Sequence, residues 1–253
     1  MLSFASLGSG SRGNCTLVQR GHTTLMIDCG FSLREVQRRL ARLDLVPGDI
    51  AAILVTHEHS DHAKGVESLA RTYAIPVYMS HGTFLATKWQ RLPHYRLIKP
   101  SQSFSVGDIH VQTVAVPHDS REATQFVFRH ADKVLGVLTD LGSITPHVIE
   151  HYRHCNGLVL EFNHCPDMLA KGPYPPALQR RVGGNWGHLS NDQAASLLQH
   201  VDYDQLQHVV VSHISEKNNA PERVVASMQR VLPNLEKVVV ADQENGFAWL
   251  SLT

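Results

Sequence analysis

The stretch VTHEHSDHAKG, residues 55–65, places three histidines and an aspartate within six positions, directly after the apolar run AAIL. Side chains gathered this closely either face water as a polar turn or are held by the rest of the chain around a cation. The apolar run reads as a buried strand. His57 and His59 are two apart at its end, so alternation points them the same way, with Asp61 and His62 in the turn or first helical residues beyond. Imidazole and carboxylate together suit zinc, or manganese and iron where oxygen ligands add up. Four donors are too many for one open site built from a single loop, so the spacing predicts two adjacent metals.

A metal pair needs further ligands, and three stand where strands are predicted to end. His118 closes VQTVAVPH, Asp140 closes VLGVLTD and His213 closes HVVVSH. Each alone is weak, because a lone histidine is more often a surface or core residue and an aspartate often caps a turn. Four apolar runs each ending in a ligand type point to one shared site.

The remaining pattern supplies those strands. LSFASL and CTLVQRGHTTLMID read as strands, the second broken by a turn at Arg20–His22, and SLREVQRRLARL as a helix with Ser32 and Glu35 spaced as a capping box. A helix is predicted over 62–74 and a strand at PVYMS. FSVGDIHVQTVAV, TQFVFRH and KVLGVLTD are predicted strands, TPHVIEHYRH a helix with Pro146 in its first turn, and GLVLEF a strand. Asn163 to Gly187 reads as a long loop with short helical pieces. SNDQAASLLQHV restarts a helix with a second capping box at Ser190 and Gln193. The end runs strand HVVVSH, helix PERVVASMQRVL, strand KVVVA, a turn at Glu244–Gly246 and strand FAWLSL. Two batches of strands punctuated by helices predict two sheets packed face to face with helices outside, in one domain over 1–253.

At 253 residues the chain can bury a sizeable core. Lys+Arg and Asp+Glu balance at 23 each, so attraction to a polyanion has to come from local patches or bound cations. No apolar run reaches membrane-spanning length and the first residues lack a signal-peptide pattern, which predicts a cytoplasmic protein without membrane contact. Cys15, Cys29, Cys155 and Cys165 form no C-x-x-C pair and are expected as reduced thiols; the two His-Cys pairs match no common zinc finger.

THEHSDH, with a later His, Asp and His at strand ends, resembles the metallo-β-lactamase-fold hydrolases over essentially the whole chain. That resemblance implies an α/β fold, a four-layer αβ/βα sandwich. It also implies that His57, His59 and His118 hold one divalent ion, that Asp61, His62 and His213 hold a second, and that Asp140 bridges them. Asp28 in LMIDCG matches the Asp-x-Gly that braces the metal loop from behind, and is equally readable as a strand-ending turn residue. LGSGSRGNC, FNHCPDML followed by GPYP, GHLSN and SHISEKNN narrow the resemblance to the YycJ/WalJ group of bacterial metal-dependent exonucleases. More distantly the set is similar to phosphodiesterases of the PhnP and tRNA 3′-processing types. SHIS and HCPDML depart from the usual SHLS and HD, which leaves the role of Asp167 open.

His188 in GHLSN matches the histidine that, in tRNA 3′-processing enzymes, supplies or positions the proton for the leaving oxygen; packing against the helix start is the plainer alternative. His164 in NHCP is a candidate substrate contact. GSGSRGN lacks the Gly-Lys-Ser/Thr of a P-loop and precedes a strand. Ser9, Ser11 and Asn14 are candidate phosphate donors there, and a tight loop of small residues explains the motif equally.

These features imply a phosphodiesterase that uses two divalent ions, zinc or manganese, to activate a water, with Asp61 also orienting the nucleophile. Its expected substrate is nucleic acid, DNA in preference to RNA. Arg34, Arg38, Arg39 and Arg42, and Lys171 with Arg180 and Arg181, are candidate phosphate contacts. No RNA-reading aromatic motif is visible. The span between Asp140 and His213 is too short for a large inserted clamp domain. A small-molecule phosphodiesterase, a thioester or lactone hydrolase and a metal-stabilised regulatory protein are the alternatives.

Overall fold

In the computed structural model, which describes residues 1–253, each half of the chain lays down antiparallel strands, three in the first half and four in the second, and then switches to parallel ones. The first half gives β1 (Leu2–Gly8), β2 (Cys15–Arg20) and β3 (Thr23–Ile27), then α1 (Leu33–Ala41) and β4 (Ile50–Leu54). After α2 (Ser60–Ala63) and α3 (Val66–Tyr73) come β5 (Val77–Ser80), α4 (His81–Thr87) and β6 (Tyr95–Ile98). The second half gives β7 (Ser103–Val106), β8 (Ile109–Ala115), β9 (Thr124–His130) and β10 (Lys133–Leu138), then α5 (Pro146–Tyr152) and β11 (Gly157–Glu161). It continues with α6 (Pro166–Lys171), α7 (Pro176–Val182), α8 (Asn191–Leu198), β12 (His208–Ser212), α9 (Pro221–Met228) and β13 (Val238–Val240). The last strand, β14 (Phe247–Leu252), crosses back to pair antiparallel with β1. One sheet runs β14-β1-β2-β3-β4-β5-β6 and the other β13-β12-β11-β10-β9-β8-β7.

Side-chain alternation builds the layers. Leu25 and Ile27 on β3, Ala52 and Leu54 on β4, and Phe126 and Phe128 on β9 share one apolar cluster between the sheets. The intervening Met26 and Ile53 face the opposite way and pack with Val36 and Leu40 of α1 and with Leu69 of α3. On the other sheet Leu158, Leu160, Val209 and Val211 pack outward with α5, α8 and α9. The central strands are buried on both faces, which is why they read as continuous apolar runs. Each such side chain contributes about 1.5–3 kcal/mol on burial. The expected αβ/βα sandwich is what forms.

Three local expectations are corrected. The helix foreseen over 62–74 is two short helices, α2 and α3, because Gly65 sits where a Cβ would fall 1.9 Å from Phe31 O. Its N–H donates to Cys29 O (2.8 Å), tying the break to the end of β3. The capping box on α1 is half formed: Ser32 Oγ accepts from Glu35 N, but the Glu35 carboxylate turns to Arg38 and Arg39. Finally, α4 and β6 lie where no element is foreseen. β6 is an edge strand whose Tyr95, Arg96 and Leu97 are exposed, so it carries no alternation to read.

Candidate metal centre

Sheet register decides which residues meet. β3 and β4 are parallel with Ile27 opposite Leu54, so Asp28 emerges beside Thr56 and His57. In the other sheet Leu138 pairs with Leu160 and Glu161 with Ser212, so Asp140, Glu161 and His213 leave neighbouring strands at one edge. These are carboxyl ends of parallel strands, where open α/β sheets place their sites. Asp28, Asp140 and His213 adopt left-handed φ values of 60°, 55° and 53°. Such backbone costs on the order of 1–3 kcal/mol per residue, and concentrates at functional sites. Gly30 lets the loops close: a Cβ there would fall 1.8 Å from Asp61 O.

All seven predicted ligands come together. His57, His59 and His118 form one group of donor atoms and Asp61, His62 and His213 another, each with its atoms within 4.8 Å of one another. Asp140 stands between them: Oδ2 is 3.1 Å from His62 Nε2, and Oδ1 is 3.5 Å from His213 Nε2 and 3.9 Å from His118 Nε2. His57 and His59 converge as expected, although β4 has already ended at Leu54, so an irregular turn and not strand alternation brings their rings to 4.5 Å.

Hydrogen bonding from behind fixes which nitrogens carry lone pairs. Asp28 Oδ1 accepts from Thr56 N (2.8 Å), and Oδ2 accepts from Thr56 Oγ1 and His62 Nδ1 (both 2.7 Å). The Thr56 hydroxyl, its proton committed to Asp28, accepts from His57 Nδ1 at 2.9 Å. His118 Nδ1 donates to Gly187 O at 2.9 Å. When each of the three rings is neutral, as a metal ligand must be, Nε2 is therefore the lone-pair atom aimed at the cluster. His57 Nε2 and Asp140 Oδ2 are buried and have no hydrogen-bond partner, and Asp140 Oδ2 approaches His62 Nε2 to 3.1 Å.

Crowded donor atoms of this kind suit a cation. Tetrahedral ligands about 2.0–2.1 Å from zinc lie about 3.3–3.4 Å apart. His118 Nε2 to His59 Nδ1 is 3.3 Å, and Asp61 Oδ2 is 3.4 Å from both His62 Nε2 and His213 Nε2. The donor set fits divalent metal.

The electrostatics agree. Burial, helped by neighbouring imidazoles, holds His57 well below the usual histidine range, and burial also lowers His118, favouring the neutral form that ligands need. Burial opposes ionisation of Asp140, but His213 and His62 outweigh it and hold the carboxyl well below its usual range. Asp61 is likewise lowered against burial, by His62 and His213. Burial also opposes charge on His62, yet Asp140, Asp61 and Asp28 raise it far above normal, a measure of how strongly these carboxylates attract positive charge.

His188 lies beside this cluster, its ring 5.3 Å from that of His213. Its Nδ1 donates to Glu161 Oε2 at 3.0 Å. Glu161 is fully buried, and its Oε1 accepts from Leu141 N (2.6 Å) and Leu189 N (3.2 Å), so both loops are pinned to one carboxylate. Burial lowers the His188 pKa, but Glu161, then Asp140 and Asp119, raise it to about 9. Sequence reasoning missed Glu161, although it is the polar end of an apolar strand, the signal that located Asp140 and His213.

The other candidates separate. Ser9 Oγ accepts from His213 N (2.8 Å) and is buried, so it positions a ligand residue. Asn14 closes its loop onto Gly10 and places Nδ2 3.3 Å from Asp61 Oδ2. Ser11 alone of the three is exposed, in a cleft with Asp61 and His188. His164 is buried and lines a different cavity with Arg180 and Gln193. In the Arg34–Arg42 cluster, Arg39 and Arg42 are not free for phosphate. Arg39 is buried and donates to Leu7 O, Gln243 O and Glu244 O, while Arg42 donates to Leu7 O and Glu244 O, so both clamp the turn before β14. The cysteines are buried and free, and none joins the cluster. No helix is long and apolar enough to cross a membrane.

Comparison with known proteins agrees with this geometry. Residues 23–214 match the family described as "Beta-lactamase superfamily domain". The chain is 34% identical over 240 residues to a Bacillus anthracis protein named exodeoxyribonuclease YycJ, covering 91% of this chain and 89% of that one. It is 29% identical over 245 residues to exodeoxyribonuclease WalJ of Streptococcus pneumoniae, covering 94% and 91%. The crystal structure of the metallo-β-lactamase-fold protein YhfI from Bacillus subtilis superposes with a TM-score of 0.75 at 14% identity, covering 98% of both chains. A family match over most of its length and a relative 34% identical over nine-tenths of the chain make this chain a member of the metallo-β-lactamase superfamily.

Proposed function

We propose that the chain is a two-metal phosphodiesterase acting as a DNA exonuclease, with residues 1–253 working as one domain. His57, His59 and His118 would hold one ion and Asp61, His62 and His213 the other, with the Asp140 carboxylate within reach of both; zinc and manganese both suit these donors. When bound, the ions supply Lewis-acid activation of water and neutralise the phosphate oxygens.

The residues do the rest. Asp61, exposed enough to line the cleft, orients the attacking water. Attack on phosphorus breaks its bond to the leaving sugar oxygen, which needs a proton. His188 delivers it from Nε2, because Glu161 occupies Nδ1 and holds the ring charged at neutral pH. The Glu161–His188 pair at the edge of the donor cluster carries the reading: a proton donor is what departure of an alkoxide requires. The names of the two similar exodeoxyribonucleases support DNA as the substrate. Buried free thiols support a reducing cytoplasm.

The test is digestion of end-labelled single- and double-stranded DNA with added Mn²⁺, beside an Asp61→Ala control. Stepwise shortening absent from the control is the expected result. Intact DNA, with metal bound and a small model diester still hydrolysed, overturns the exonuclease assignment.

A further inference from the structure

Helix α7 buries none of its residues, although it carries Leu178 and Val182. Within it Leu178 and Val182 are four apart and Arg181 falls three beyond Leu178, the interval that gathers side chains on one helix face, and Tyr174 stands just ahead of the helix. That face is turned to the metal centre. A cleft of about 170 Å³ is lined by His59, Asp119, Tyr174, Leu178, Arg181 and His188. A second, of about 110 Å³, is lined by Ser11, Asp61, Tyr174, His188, His213 and Ser215. Tyr174, Val182 and His188 border both, so they form a ridge dividing the approach to the donors.

An aromatic ring and two aliphatic side chains serve no purpose toward a phosphate. They suit the apolar face of whatever the phosphate carries. Cations flank the ridge: Arg181 pairs with Asp119 on one side, and Lys217 Nζ stands 5.9 Å from the Tyr174 ring centroid. A nucleic-acid strand has this alternation of anionic linkage and flat apolar base; a simple alkyl diester does not.

We propose that Tyr174 is a wedge between two nucleoside subsites, stacking on the base next to the scissile phosphate while the adjoining nucleotide occupies the cleft across the ridge. The proposal rests on the phosphodiesterase reading and specifies its substrate as a splayed single strand or strand end. Parting neighbouring bases costs a few kcal/mol in a duplex and least where the strand is already unpaired.

The test uses protein carrying His188→Ala, loaded with Mn²⁺ so that bound DNA stays uncut, and single-stranded oligonucleotides with 2-aminopurine at either end. Stacking on Tyr174 quenches the probe at one end at least twofold on binding; Tyr174→Phe keeps the quenching and Tyr174→Ala loses it. Replacing that terminal base by an abasic residue weakens binding about tenfold, within the range measured for base–aromatic stacking, and has no effect in Tyr174→Ala. Equal affinity for intact and abasic ends, or equal quenching in Tyr174→Ala, overturns the wedge while wild-type shortening of DNA leaves the exonuclease reading standing. Wild-type protein that neither binds nor shortens DNA overturns both.

Discussion

Asp28 Oδ2 lies 2.7 Å from His62 Nδ1, and through Thr56 Oγ1 the same oxygen also orients His57. One buried carboxylate thereby sets the tautomer of a residue in each donor group. Asp28→Asn removes the charge that holds these protons, and metal affinity is expected to fall about 10–100-fold. Competition against a chelator measures it. Unchanged affinity would show that the rings are oriented by packing alone.

Asp140 reaches donors of both groups, so Asp140→Ala is expected to abolish metal pairing and turnover together. Elemental analysis should find at most one ion per chain. Normal metal content and rate in that variant would sink the bridging assignment.

Glu161→Gln leaves the shape of the pair and removes its charge. In metal-free protein His188 is expected to titrate near 9, and well below that in the variant, as read from imidazole resonances. The sign follows from the raised pKa. The pair's contribution to stability is complete below about 6.5, the unfolded histidine value, and is lost as pH rises through about 9. A proton donor must be charged to act, so the alkaline fall in rate should begin at lower pH in Glu161→Gln. Coincident pH–rate profiles would remove Glu161 from catalysis.

Arg39→Met tests the buried clamp. Three carbonyl oxygens lose a donor, although Arg42 still reaches Leu7 O and Glu244 O, and unfolding in urea should reveal a loss of about 1–3 kcal/mol. The salt dependence of DNA binding should not change, because a guanidinium at 4% exposure meets no phosphate. A shallower salt slope would return this helix to the substrate surface.

Much of this centre is local in the sequence. Donor spacing in THEHSDH and apolar runs ending in His118, Asp140 and His213 carry their meaning within a few residues, because strands buried on both faces must be apolar and what ends them lies at the sheet edge. The layered fold follows from the same runs. Other roles depend on partners far along the chain. Ser9 reads as a phosphate donor until the fold sets it beside His213 N, 204 positions away, and Arg39 looks like solvated helix surface until the turn before β14 closes over it. Glu161 meets His188 only because the loop before α8 returns to the end of β11, where Asn163 N donates to Leu189 O and His164 bridges to Ser190. Residue chemistry and short spacing determined that this chain builds a metal site at strand ends. Which polar groups serve the ligands, the proton or the substrate was decided by strand order and register, since a hydrogen bond depends on distance in space and not along the chain.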